Sequence, residues 1–255
     1  MCPFLVGRMS VHALLVEAND RLILVDTGMG LEDVASPRRR LGSGFLASTR
    51  PNLREEDTAI RQVERLGFSA KDVRDIAVTH LDVDHAGGLP DFPDASVHLF
   101  RKELDAALER KSLKEKERYK TWHFAHGPKW AMHEPEGEKW FGFDSVKAIA
   151  DDVLIIPMPG HTRGHSCIAV KAPSGSPHEW LLHCGDAYFH TTEKTNPKDA
   201  PMGLRVFQAA IAMDDRLRRA NARRLRELHA SEDGKRVKIF SAHCAIEYDE
   251  LAHQA

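Results

Sequence analysis

The chain has 255 residues, 42% of them hydrophobic, which is enough to bury a sizeable core as one large domain or two halves, and nothing in it suggests a long disordered region. A formal net charge of -2 gives no global attraction to nucleic acid or anionic membranes, so neither is an expected partner. No apolar run reaches membrane-spanning length, no basic N-terminal region precedes an apolar core, and the four cysteines form no Cys-x-x-Cys pair, so a cytoplasmic protein with reduced thiols is expected.

Val11 to Val16 and Arg21 to Val25 read as strands joined through Glu17-Ala18-Asn19-Asp20, a hairpin signal, and the second runs into Asp26-Thr27-Gly28. Pro37 to Pro51 reads as a connecting loop, with Arg38-Arg39-Arg40 most simply solvated. Ile60, Val63 and Leu66 are spaced for a helix that Gly67 ends. Asp75-Ile76-Ala77-Val78 is then a short buried strand opening into Thr79-His80-Leu81-Asp82-Val83-Asp84-His85-Ala86-Gly87-Gly88. His80, Asp82, Asp84 and His85 put imidazole nitrogen and carboxylate oxygen close together in the manner that suits a first-row divalent metal. The doublet Asp84-His85 can point away from His80 and Asp82, as two adjacent metals would need.

A strand over Ser96 to Phe100 and a helix from about Lys102 continue the alternation of strand and helix, and the charged run Glu109 to Lys120 reads as an exposed helix face. The segment from Tyr119 to Phe143 holds most of the aromatic surface with little periodicity. A lid or substrate-pocket insertion around 113–147 is one reading of it, and a hydrophobic cluster beneath a long loop is the other. Asp152 to Pro157 restarts strand character and leads into Pro159-Gly160-His161-Thr162-Arg163-Gly164-His165. A hairpin pair, Ile168 to Lys171 and Glu179 to His183, ends in Cys184-Gly185-Asp186, with Tyr188 and His190 following. Leu204 to His229 is helical with an arginine-rich, solvated face, and Val237 to Phe240 is a last strand that delivers His243.

The segment from His80 to His85 resembles the His-x-His-x-Asp-His signature of the metallo-β-lactamase superfamily, with Asp82 where the second histidine normally stands. The similarity runs from Leu22–Gly28 to Phe240–His243, and in length and layout it is greatest with the acyl-homoserine lactonase-like group. It implies an α/β fold, the αβ/βα four-layer sandwich, as a single domain over 1–255. It also implies two divalent metal ions, one held by His80, Asp82 and His165, the other by Asp84, His85 and His243, with Asp186 bridging. His161 is then structural, and Asp26 orients a ligand histidine. The activity implied is hydrolysis of an ester, lactone or thioester of a small molecule by a metal-bridging hydroxide, with Asp84 and Tyr188 as catalytic residues; the oligomeric state, a homodimer included, is left open.

Zinc is the metal of the family, whereas the hard oxygen of Asp82 favours iron or manganese. Three carboxylates and a hydroxide around two dications leave a formal charge of about zero, where a histidine at position 82 would leave about one positive unit. Two other readings follow from Asp82. One is a di-iron redox or oxygen-binding protein, since the motif is similar to the His-x-Glu-x-Asp-His of flavodiiron proteins, whose flavin domain this chain has no room for. The other is a non-catalytic metal-binding relative.

Overall fold

The computed structural model describes residues 7–18 and 21–252, so Cys2 and the Asn19-Asp20 half of the expected hairpin turn lie outside the described residues. The chain divides into two compact units, one over 13–132 and the other formed by the described residues up to His12 together with those from His133 onward.

The first unit is built on a five-stranded sheet in the order β1-β2-β3-β4-β5. Its strands are β1 (Leu14–Ala18), β2 (Arg21–Val25), β3 (Val73–Ala77), β4 (Ser96–Phe100) and β5 (Lys129–His133). β1 and β2 pair antiparallel, whereas β2, β3 and β4 run parallel. β2, antiparallel to β1 on one edge and parallel to β3 on the other, is the near-continuous apolar run Leu22-Ile23-Leu24-Val25, buried throughout as in a strand covered on both faces. Each of these side chains contributes about 1.5–3 kcal/mol on burial. The core continues through Ile76, Val78, Leu81, Leu99 and Leu104.

Pro37 to Pro51, expected as a loop, instead carries two short helices. After α1 (Leu31–Ala35) come α2 (Pro37–Arg40) and α3 (Ser43–Thr49). Proline at the first helical position of α2 removes an amide that would have had no partner in the helix, and Thr49 returns its hydroxyl to the Phe45 carbonyl at 2.8 Å. Further along are α4 (Ala59–Arg65), a single turn α5 (Val83–Ala86), α6 (Arg101–Glu109) and α7 (Leu113–Arg118). The charged run from Glu109 is not one exposed face. Arg110 adopts a left-handed conformation that ends α6, and Ser112 caps α7 by accepting from the Glu115 amide. Glu115 and the Arg118 side chain are then turned inward.

The second unit carries a six-stranded sheet in the order β11-β10-β9-β8-β7-β6. In chain order the strands are β6 (Glu138–Trp140), β7 (Phe143–Ala150), β8 (Val153–Pro157), β9 (Ser166–Lys171), β10 (Trp180–His183) and β11 (Val237–Phe240). β7 to β10 pair antiparallel in succession, and β10 pairs parallel with β11. The expected single helical stretch from Leu204 is two helices, α8 (Met202–Ile211) and α9 (Asp215–Ala230), broken where the Asp214 carboxylate accepts the Leu217 amide at 2.9 Å. A last helix, α10, spans Ala245–Ala252. Among the described residues, no helix is long and apolar enough to cross a membrane.

The aromatic segment is distributed between the cores of the two units rather than standing apart from them. Tyr119, Phe124 and Trp130 belong to the first core, and Phe143, Trp140 and Phe141 to the second.

Candidate metal centre

In the first unit, the register Val25↔Ala77 brings the ends of β2 and β3 level, so the residues that follow each strand meet. Asp26 takes a left-handed φ of 54°, a conformation that aspartate tolerates better than most residues, and its carboxylate turns onto the second loop. Its oxygens accept from the Thr79 amide at 2.7 Å, the Thr79 hydroxyl at 2.8 Å and His85 Nδ1 at 2.8 Å. Because a buried carboxylate at this distance accepts a hydrogen bond from Nδ1–H, the lone pair of the neutral His85 ring is set on Nε2. His80 stacks on His85 with ring centroids 4.0 Å apart, and His80 Nε2 lies 3.4 Å from Asp82 Oδ2. Asp84 is half-buried on α5 beside His85.

Gly87 and Gly88 close this loop because nothing larger fits. A Cβ on Gly87 would collide with the Asp33 carboxylate and would stand 2.5 Å from the Val83 carbonyl. One on Gly88 would stand 2.9 Å from the Thr27 carbonyl.

Asp82 has a partner that sequence order does not announce. Arg118 Nη1, from the end of α7, donates to Asp82 Oδ2 at 2.7 Å, and both side chains are largely removed from solvent. Glu103 on α6 holds both flanks of the pair, accepting from the Leu81 amide at 3.0 Å and from the Tyr119 hydroxyl at 3.2 Å. Burial, together with the neighbouring Glu103, pushes the Tyr119 hydroxyl well above the usual phenol range.

In the second unit three loops at strand ends converge. The loop after β8 is held by the main chain of the α8–α9 junction: Met213 N donates to the His161 carbonyl at 2.9 Å and Asp214 N to that of Gly160 at 2.8 Å. Asp186 follows β10 and His243 follows β11. His161 Nε2 lies 3.2 Å from one oxygen of Asp186, and His243 Nε2 lies 3.0 Å from the other. The Ser10 carbonyl, 2.8 Å from His243 Nδ1, can only accept, so Nδ1 carries the proton and Nε2 presents its lone pair to the Asp186 carboxylate. Two acceptors facing each other at that separation repel unless a proton or a cation lies between them. The donor set therefore fits a cation between His243 and Asp186, and His161 Nε2 meets the other oxygen of that carboxylate through either a proton or a second cation.

Two sequence expectations are corrected here. His165, expected as a metal ligand, spends both ring nitrogens on the backbone: Nδ1 donates to the Met158 carbonyl at 2.9 Å and Nε2 accepts from the Asp186 amide at 2.9 Å. It braces Asp186, and His161 is the histidine that faces the carboxylate. Tyr188, expected as a catalytic residue, is 2% exposed and lies in the apolar core with Cys184 and Leu182. Its hydroxyl donates to Glu247 at 2.9 Å, and Glu247 in turn meets Lys194 at 2.6 Å and the Ser241 amide at 2.9 Å. Burial and the Glu247 carboxylate raise the Tyr188 hydroxyl well above the usual phenol range. His190 accepts the Thr192 amide through Nδ1 at the start of a 3-10 turn over Thr191–Lys194.

The architecture is mixed α/β with histidines and aspartates at strand ends, and the chain matches the metallo-beta-lactamase superfamily over residues 6–231. It belongs to that family, with the family's α/β fold. Among curated proteins it is 43% identical over 225 residues to a Mycobacterium tuberculosis protein named "Probable metallo-hydrolase", covering 87% of this chain and 71% of that one. It is also 26% identical over 189 residues to an N-acyl homoserine lactonase of Rhizobium johnstonii, covering 72% and 68% of the two chains. Among solved structures it is similar to an N-acyl homoserine lactone hydrolase with the product N-hexanoyl-L-homoserine bound at the catalytic metal center. The TM-score is 0.70 at 22% identity, with 95% of this chain and 84% of that one covered.

Proposed function

We propose that the chain is a metal-dependent hydrolase that cleaves an ester, lactone or thioester bond of a small molecule. The ligands of its two divalent cations are His80, Asp82, Asp84, His85, His161, Asp186 and His243. The observation that carries this reading is the Asp186 carboxylate, each of whose oxygens faces an imidazole Nε2. Membership of the metallo-beta-lactamase superfamily supports the hydrolytic chemistry, and the relatives named as lactonases support the class of bond. Bound divalent cations supply an activated water and an electrophile, so no serine or cysteine nucleophile is needed.

The chain's own residues prepare that chemistry. Asp26 and the Ser10 carbonyl fix the ring tautomers of His85 and His243, and His165 fixes the main chain of Asp186. In this reading Asp84, half-buried beside His85, takes the role of exchanging a proton with the leaving group.

The test is elemental analysis of the purified protein together with a panel of aryl esters, lactones and thioesters run with zinc, manganese and iron. Turnover of at least one class, lost in His85→Ala and Asp186→Ala proteins that still fold, is the expected result. Metal-replete protein inert toward the whole panel would refute it, and visible absorbance with tightly held iron in that inert protein would favour the redox reading.

A further inference from the structure

We propose that Arg118 is the resident counter-charge of Asp82, so that the two together present a neutral donor at the position where the superfamily signature has a histidine. The inference rests on the metallo-hydrolase reading and deepens it, because it concerns how tightly that centre holds its cations.

An aspartate in place of a histidine adds a negative charge to the centre. In isolation it would strengthen the grip on a dication and weaken that dication as an electrophile. The structure returns the charge in the same place. Arg118 Nη1 is 2.7 Å from Asp82 Oδ2, and that same oxygen is the one 3.4 Å from His80 Nε2. The guanidinium thus engages the carboxylate oxygen that lies against the neighbouring histidine.

The pair is also built rather than incidental. The side chains of Arg118 and Asp82 are 7% and 15% exposed, and a buried guanidinium demands a fixed anion. Glu103, fully buried, accepts from the amide of the residue before Asp82 and from the phenol hydroxyl of the residue after Arg118, so one carboxylate ties both flanks of the pair. Guanidinium keeps its charge at all working pH values, so the compensation is permanent. The excess negative charge expected from Asp82 alone is therefore largely cancelled, while its oxygen donor is unchanged.

The experiment measures dissociation constants for Mn²⁺ and Zn²⁺ by competition with a chromophoric chelator. It compares wild type, Arg118→Met, Asp82→His and the double variant, each checked by circular dichroism and thermal unfolding. Removing the counter-charge uncovers the anion, so Arg118→Met binds Mn²⁺ tighter than wild type by about tenfold or more. Asp82→His alone leaves the guanidinium facing a dication and binds both metals about tenfold more weakly or worse, whereas the double variant returns to within about threefold of wild type.

If Arg118 only holds Asp82 in place, Arg118→Met weakens binding as Asp82→Ala does, and the proposal is wrong. It is equally wrong if Asp82→His and the double variant bind alike. Should Arg118→Met fail to fold, Arg118→Lys and Arg118→Gln decide: the lysine variant keeps wild-type affinity and the glutamine variant exceeds it, and the reverse order overturns the idea. Wild-type protein that binds neither cation overturns the metallo-hydrolase reading itself, a result distinct from any pattern among the variants.

Discussion

Replacing Asp26 with asparagine should disable His85 without touching it. The carboxylate accepts three hydrogen bonds, from the Thr79 amide, the Thr79 hydroxyl and His85 Nδ1, and is 1% exposed. Asparagine keeps one accepting oxygen, and the Thr79 amide, which can only donate, claims it. The carboxamide nitrogen is then left facing the Thr79 hydroxyl and His85 Nδ1. A neutral imidazole facing a donor moves its proton to Nε2, the nitrogen that has to offer a lone pair to a cation. Hydrogen bonds to a charged group are worth about 1.5–3 kcal/mol each, so Asp26→Asn should lose roughly 2–4 kcal/mol of stability. Disturbing such an orienting partner lowers metal affinity about 10- to 100-fold. Asparagine adopts the left-handed backbone as readily as aspartate, so φ strain does not confound the comparison. Urea unfolding of metal-free protein reads the first effect, chelator competition the second, and ¹⁵N chemical shifts of labelled histidine the tautomer. Unchanged metal affinity together with an Nδ1-protonated His85 in the variant would refute the reasoning.

His161→Ala should lower the bound metal by about one cation per chain. His165→Gln should keep the stoichiometry and lose about 1–3 kcal/mol of stability; elemental analysis and urea unfolding of both variants separate a ligand from a brace. Tyr188→Phe should cost about 1–2 kcal/mol and leave kcat/KM within about threefold of wild type, and a hundredfold loss of kcat would restore a catalytic role to the hydroxyl. His12, buried and beside His183, has its pKa lowered to about 3, burial being the larger cause. A depressed folded-state pKa means that its contribution is fully present above the unfolded value of about 6.5 and is lost as pH falls toward 3. Unfolding free energy of metal-free protein should therefore drop by about 3 kcal/mol between pH 7 and pH 4, and His12→Phe should flatten that slope. An identical slope in the variant would place the acid sensitivity elsewhere.

Much of the first unit's loop over 80–85 was legible because an apolar run followed by four histidines and aspartates is a local pattern. Val73–Ala77 forms a strand, and His80, Asp82, Asp84 and His85 follow it as their spacing implied. The histidine loop after β8 was legible as a loop but not in its roles, since both histidines flank the same turn and only the main-chain partners of His165 distinguish them. Tyr188 failed for a related reason: two residues beyond Asp186 is close in sequence, yet the side chain turns into the core. Arg118 was the largest omission. It lies 36 residues from Asp82, in a run whose charge reads as solvated. The one local signal was Ser112 three residues before Glu115, a capping box that starts a helix at Leu113 and puts Glu115 and Arg118 on one face.

The hold of the α8–α9 junction on the His161 loop runs through peptide groups: the amides of Met213 and Asp214 meet the carbonyls of His161 and Gly160. Main-chain clasps are blind to side-chain identity and sensitive to spacing. The stretch between the two helices can drift in composition and keep the histidine in place, but losing or gaining a single residue there would slide both clasps out of step. Length, more than chemistry, is what selection would guard at that corner.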